Sequence, residues 1–161
     1  MVGLYKLKLT LLASLVFALF HVSLAQTSPK DYLKAHNEAR AKLGIPPLTW
    51  DNKLASYAQD YANKRIEDCE LLHSTMDYGE NIATASWSMS AKEAVDMWID
   101  ERPFYDHASN TCKGGDCLHY TQVVWRDSVH LGCAISNCKA GGSFAICLYD
   151  PPGNVITQRP Y

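Results

Sequence analysis

Four residues of this chain have the types to do chemistry together: His73, Glu80, Glu101 and His119. Two imidazoles and a carboxylate form an open coordination set for a divalent metal such as zinc. The carboxylates then orient the ligands or act as general base. His73 and His119 are the candidate metal ligands on that reading. The same four types also suit a structural role, in which each glutamate accepts hydrogen bonds from a histidine or a backbone N–H and fastens loops together. Glu101 is the anomalous member. It stands three residues after Trp98 and seven after Ala94. A helix running through all three puts it on the apolar face, where an isolated charge is costly. Glu80 lies between Gly79 and Asn81, where a glycine lets the backbone bend. No H-E-x-x-H, G-x-S-x-G or free thiol accompanies the four, so no local hydrolase signature supports catalysis.

Two further segments carry candidate function. Phe104 and Tyr105 open the run R-P-F-Y-D-H-A-S-N-T-C, from Arg102 to Cys112. Aromatic rings heading a loop suit a flat apolar ligand. Turned inward, they would fill the core behind the preceding helix. The second segment follows Asp150 and reads P-P-G-N-V-I-T-Q-R-P-Y. Paired prolines and a glycine do not extend a central strand. Residues 151–161 are therefore expected on the surface and open to proteolysis, the alternative being a tail packed along the domain. His36 reads as a core or capping histidine, while His107 and His130 carry no partner signal. Trp50, Trp98 and Trp125 read as core, and Trp87, among small polar residues, as exposed.

Elements must position these groups. Ser28-Pro29-Lys30-Asp31 has the layout of a helix start, and Gly44 with Pro46-Pro47 stops that helix near Lys42 or Leu43. A second helix is expected from Asp51. Its stripe is Leu54, Tyr57, Ala58, Tyr61, Ala62, Arg65, Ile66 and Cys69. Ser90 and Glu93 form a capping-box pattern for a third helix, which Pro103 ends. After Trp125 the pattern turns β-rich. His130–Ser136 and Ser143–Leu148 read as a strand pair joined through Asn137 to Gly142. Helices first and strands later indicate an α+β fold.

The N-terminus reads as a secretory signal peptide over residues 1–25: Lys6 and Lys8, an apolar run from Leu9 to Phe20, then Ser23-Leu24-Ala25. The run is shorter than the roughly 20 residues a membrane span needs. The mature chain is expected to start at Gln26 and to form one domain over 26–161. Cleavage removes two lysines and no acid, so the formal net charge moves from −2 to −4. A mildly acidic chain without a basic cluster argues against nucleic acid and anionic membrane surfaces as partners. All six cysteines, Cys69, Cys112, Cys117, Cys133, Cys138 and Cys147, lie in the mature part. Behind a signal peptide they read as three disulfides, with metal ligation by the two C-x4-C spacings as the rival; spacing does not choose the pairing. No N-x-Ser/Thr sequon is present, so N-glycosylation is not expected.

Four motifs stand in register along the chain: L-L-H-S (Leu71 to Ser74), G-E-N (Gly79 to Asn81), H-Y-T-Q-V-V-W (His119 to Trp125) and C-L-Y-D-P-P-G-N-V (Cys147 to Val155). In this order they resemble the CAP superfamily, specifically the plant pathogenesis-related class 1 proteins, from about Gln26 to Tyr161. The resemblance implies an α-β-α sandwich. It implies the disulfides Cys69–Cys138, Cys112–Cys117 and Cys133–Cys147. It also places His73, Glu80, Glu101 and His119 around one central cleft.

The function it implies is non-enzymatic plant defence in the apoplast. Sterol would bind near the Phe104–Tyr105 loop, which the Cys112–Cys117 bond tethers, and fungi and oomycetes would be restrained by sterol loss. No cofactor is required on this reading, and a monomer is expected. Two other readings follow from the same resemblance. One is a precursor that releases Pro151–Tyr161 after Asp150 for a cell-surface receptor. The chain ends at Tyr161, with no C-terminal vacuolar sorting segment expected beyond it. The other is a metal-dependent hydrolase built on the His/Glu tetrad, with Zn2+ as its ion. Three positions depart from the family pattern. Leu118 stands where a glycine or polar residue is usual, Leu148 where Asn is frequent, and Val155 where many tails carry an aromatic.

Overall fold

A computed structural model describes residues 28–161. The expected signal peptide over 1–25 and the mature start at Gln26 lie outside the described residues. The element order is α1 (Pro29–Ala41), β1 (Thr49–Trp50), α2 (Asn52–Lys64), β2 (Gly79–Ala85), α3 (Ala91–Ile99), β3 (Tyr105–Asp106), β4 (Thr111–Cys112), α4 (Leu118–Val123), β5 (His130–Asn137) and β6 (Ser143–Asp150). Among the described residues no helix is long and apolar enough to cross a membrane.

Local chemistry sets the helix ends. Asp31 accepts from the Ser28 N–H at 3.2 Å and from its hydroxyl at 2.8 Å, and Pro29 opens α1. Gly44, at φ +68°, turns the chain after it. Asp51 caps α2, accepting from Lys53 N at 2.7 Å and Leu54 N at 3.0 Å. Ser90 and Glu93 close a reciprocal capping box on α3.

The sheet runs β1-β5-β6-β2, with β1 parallel to β5 and the other pairs antiparallel. Strand β6 is buried almost throughout because helices cover both faces. Phe144, Ile146 and Leu148 face α2 and meet Leu54, Ala58 and Ala62. Ala145, Cys147 and Tyr149 face the opposite layer, where α1, α3 and α4 contribute Ala35, Trp98 and Val123. That is the expected α-β-α sandwich. The helix α2 backbone lies directly on Gly132 of β5: a Cβ there would come within 2.2 Å of Ala55 N. Outside the sheet, β3 and β4 form a short ribbon.

All three implied disulfides are present. Cys69–Cys138 joins the chain after α2 to the β5–β6 turn, Cα to Cα 5.9 Å. Cys112–Cys117 closes the loop before α4 at 5.5 Å. Cys133–Cys147 bridges register partners of β5 and β6 at 4.1 Å.

Several expectations need correction. Helix α2 ends at Lys64, so Arg65, Ile66 and Cys69 lie beyond it, and Cys69 takes φ +47°. Helix α3 stops at Ile99, and Glu101 sits past its end, before a 3-10 turn over Arg102–Phe104. Pro103 has no N–H to donate to the Ile99 carbonyl four residues back, so the α-helix finishes early. Residues around Glu80 form a strand rather than a bend, and His119 lies on a short helix.

Candidate functional site

The cleft is built from element ends. Strand β2 brings Glu80 and Asn81, the end of α3 delivers Glu101, and α4 carries His119. The Trp98 indole N–H donates to Ile82 O at 3.1 Å and locks α3 onto β2. Glu101 accepts from the backbone N–H of His119 at 2.9 Å and of Tyr120 at 3.2 Å, which stabilises the start of α4. Its other oxygen meets His119 Nδ1 at 2.5 Å. Glu80 repeats the pattern: His73 Nδ1 lies 2.6 Å away, and Ser74 donates through its N–H at 3.0 Å and its hydroxyl at 2.5 Å. Each glutamate thus fixes one imidazole through Nδ1 and leaves Nε2 without that restraint. His73, Glu101 and His119 line a cleft of about 300 Å³ with Leu71, Met97 and Trp98. Glu80 stands behind His73, its side chain 8% exposed against 61% for the histidine.

A buried polar chain continues beneath the cleft. Asn81 Nδ2 donates to His119 O at 3.0 Å and to the Tyr149 hydroxyl at 3.2 Å. That hydroxyl lies 2.8 Å from His36 Nε2, and His36 Nδ1 lies 2.8 Å from Tyr32 O. A carbonyl only accepts, so Nδ1 carries the proton and Nε2 accepts from Tyr149. Burial pushes His36 down to about 4; the Tyr32 carbonyl opposes this and the Arg40 charge adds to it. The folded value lies below the unfolded value of about 6.5, so the unfolded chain takes up the extra proton. This contribution to stability is complete above about pH 6.5 and falls by roughly 1.4 kcal/mol per unit as pH drops toward the folded value. His36→Gln is expected to flatten the denaturation midpoint between about pH 6.5 and 5. An unchanged slope in that variant would assign the loss to another group.

The loop aromatics separate. Tyr105 donates its hydroxyl to Asn110 Oδ1 at 2.8 Å and packs near Tyr120 and Tyr161. Phe104 is 38% exposed, its ring over Gly115. Tyr105 lines a groove of about 340 Å³ together with Cys112, Leu118, Trp125, Val155 and Ile156; Phe104 does not. Of the three departures from the family pattern, Leu118 and Val155 are exposed on this groove, while Leu148 is buried in β6.

The tail is clasped rather than free. Asp150 O accepts from Val129 N at 3.0 Å and Pro151 O from the Ser128 hydroxyl at 2.8 Å. Both sides of the Asp150–Pro151 bond are therefore tied to the domain. Gly153 N donates to Gln122 Oε1 at 2.9 Å, and Thr121 donates to Asn154 Oδ1 at 2.6 Å. Gln158 O accepts from Asn110 at 2.9 Å, and Pro160 O from Arg126 N at 2.7 Å. Arg159 reaches the carbonyls of His107 and Ala108. His107 stacks on Tyr161 at 4.8 Å and binds its main-chain oxygen at 2.9 Å. His107, which has no sequence signal, is thus a clasp residue. Its partner lies 54 residues away, beyond the reach of local pattern.

The family model described as the cysteine-rich secretory protein family, CAP, matches residues 33–149. The chain is 58% identical over 143 residues to the basic form of pathogenesis-related protein 1 from Nicotiana tabacum, covering 89% of this chain and 81% of that protein. It is 51% identical over 160 residues to pathogenesis-related leaf protein 6 from Solanum lycopersicum, covering 99% of each. Among solved structures, venom allergen-like protein 4 of Schistosoma mansoni superposes with a TM-score of 0.66 at 25% identity, over 87% of this chain and 95% of that one. Motifs, disulfides, layer order and these matches agree: the chain belongs to the CAP family, in its plant pathogenesis-related class 1 branch.

Proposed function

We propose that this plant defence protein acts from the apoplast, where it is secreted, and restrains fungi and oomycetes by withdrawing sterol, without catalysis. The observation that supports the reading is the groove beside Tyr105. Every side chain lining it is uncharged, from Tyr105 and Trp125 to Asn110, Thr121 and Gln158. Aromatic and aliphatic side chains interleaved with neutral polar ones suit a flat alcohol better than a fatty acid or a phosphate.

The test is saturable binding of radiolabelled cholesterol to the mature, disulfide-intact protein. Tyr105→Ala is expected to weaken it about tenfold, the size of one lost aromatic contact. Phe104→Ala, outside the groove, is expected to leave it within about twofold. No binding by demonstrably folded protein would sink the reading.

A second reading, delivery of Pro151–Tyr161 to a cell-surface receptor, is supported by the display of Ile156, 87% exposed at the tail's outer turn. The two part cleanly. Peptide signalling fails when Asp150 is replaced, whereas sterol capture by the intact protein does not. Metal-dependent hydrolysis has weaker support. Among the described residues no three His, Cys, Asp or Glu stand where they could share an ion, and a zinc site takes at least three protein ligands. His73 and His119 offer two, with Glu80 and Glu101 spent on orienting them.

A further inference from the structure

We propose that a neutral, flat apolar ligand and the docked tail hold each other in place: an occupied groove keeps residues 151–161 on the domain, and an empty one lets them lift away. The proposal rests on the sterol reading above and adds regulation to it.

The groove has two walls of different origin. Tyr105, Cys112, Cys117, Leu118, Thr121 and Trp125 form one, on the β3–β4 ribbon and α4, and the Cys112–Cys117 bond ties that wall together. Asn154 through Gln158, with Pro160, form the other, and all of these belong to the tail. A molecule seated between them touches both, so lifting the tail removes half of its site.

The tail is also poorly held where the groove opens. Between part-buried bonds at Gly153 and Asn154 and the Tyr161 ring stacked on His107, its attachments are hydrogen bonds at the surface, which contribute little each in water. Val155 and Ile156 stay 42% and 87% exposed. A ligand with a flat apolar body covers them, and that burial favours the docked state. Segments with few buried apolar contacts open at low free energy, so modest added burial shifts the balance. The uncharged lining selects the ligand class, because Arg159, the cation beside Tyr105, is held by the His107 and Ala108 carbonyls and no other charge stands in the lining to receive a carboxylate or phosphate head. Coupling of this kind is reciprocal: whatever factor the ligand adds to tail docking, the docked tail adds to ligand affinity.

The experiment is amide hydrogen exchange of the mature protein, read by mass spectrometry over residues 153–159. It is run alone, with cholesterol delivered from cyclodextrin, and with palmitate. Cholesterol is expected to slow exchange of these amides by about fivefold or more, and palmitate to leave it unchanged. Arg159→Ala supplies the reciprocal arm. Arg159 grips His107 and Ala108 and stands beside the Tyr105 hydroxyl without itself lining the groove, so the Tyr105→Ala protein is measured beside it. Loss of Arg159 is expected to speed tail exchange and weaken cholesterol binding together.

Saturable cholesterol binding with tail exchange unchanged overturns the coupling and leaves the sterol reading standing. So does an Arg159→Ala protein whose tail exchanges faster while cholesterol binds as tightly as before. Equal slowing by palmitate overturns the neutral assignment. No cholesterol binding at all removes the sterol reading and the coupling with it. Should Arg159→Ala fail to fold, the comparison on the unaltered chain still decides.

Discussion

Arg40→Met is expected to lower the free energy of unfolding by about 3–5 kcal/mol. Arg40 is wholly buried, and its acceptors are backbone carbonyls: Pro46 at 2.7 Å from Nε, Val123 at 3.2 Å, Trp125 at 2.7 Å, Arg126 at 3.3 Å and Ser128 at 3.1 Å from the terminal nitrogens. One guanidinium therefore satisfies the end of α4, the loop after it and the turn after α1. Burial lowers it to about 10, with the Tyr149 side chain opposing, so it stays charged at neutral pH. Methionine fills similar volume but leaves the Pro46, Val123, Arg126 and Ser128 carbonyls without this donor, at a cost of about 1–3 kcal/mol each where no water enters, while Trp125 O keeps the Ser128 N–H at 3.2 Å. Relief from burying the charge offsets part of this. Arg40→Lys is expected to recover less than half the loss, because an ammonium donates from one point and cannot span the fork. Chemical denaturation with the disulfides intact reads both variants. A loss under about 1 kcal/mol for Arg40→Met would mean that water replaces the guanidinium and that these carbonyls do not depend on it.

Removing the Cys69–Cys138 bond by paired alanine substitution is expected to cost about 4 kcal/mol, the largest effect of the three disulfides by loop length. The bond closes a separation of 69 residues, against 14 for Cys133–Cys147 and 5 for Cys112–Cys117. On chain entropy the shortest bridge is worth about 2 kcal/mol, so the ranking discriminates even where absolute values drift. Denaturant midpoints of the Cys69/Cys138 and Cys112/Cys117 variants, measured side by side, check the order. Equal losses would show that strain or residual structure in the unfolded chain outweighs loop length here.

The helix starts were legible because each depends on neighbours in sequence. Ser28, Asp51 and Ser90 bind groups within three residues; Ser28 and Ser90 cap helices as read, and Asp51, read as the second helix's start, is its cap. Strand β2 and helix α4 were not legible, for the opposite reason. Gly79–Ala85 is held by register with Ser143–Tyr149, and its own residues alternate weakly. The β-branched run of α4 turns helical because Glu101, 18 residues upstream, binds its first amides. Glu101 itself announced an anomaly through its apolar neighbours, but its place was misjudged. It is past the helix end, where a carboxylate meets two backbone donors instead of a core. The tail was legible in part. Its prolines barred a strand and its residues lie mostly at the surface, yet its clasp comes from Asn110, His107 and Arg126, which no local pattern links to it.

The disulfides also decide what a single cut can detach. A break anywhere between Cys69 and Cys138 leaves two pieces joined through that bond, and a break between Cys138 and Cys147 leaves them joined through Cys133–Cys147. Past Cys147 there is no further cysteine. Downstream of Cys69, the tail is therefore the one stretch that a lone scission frees from every covalent tie. A molecule nicked elsewhere in that region runs as one species until it is reduced.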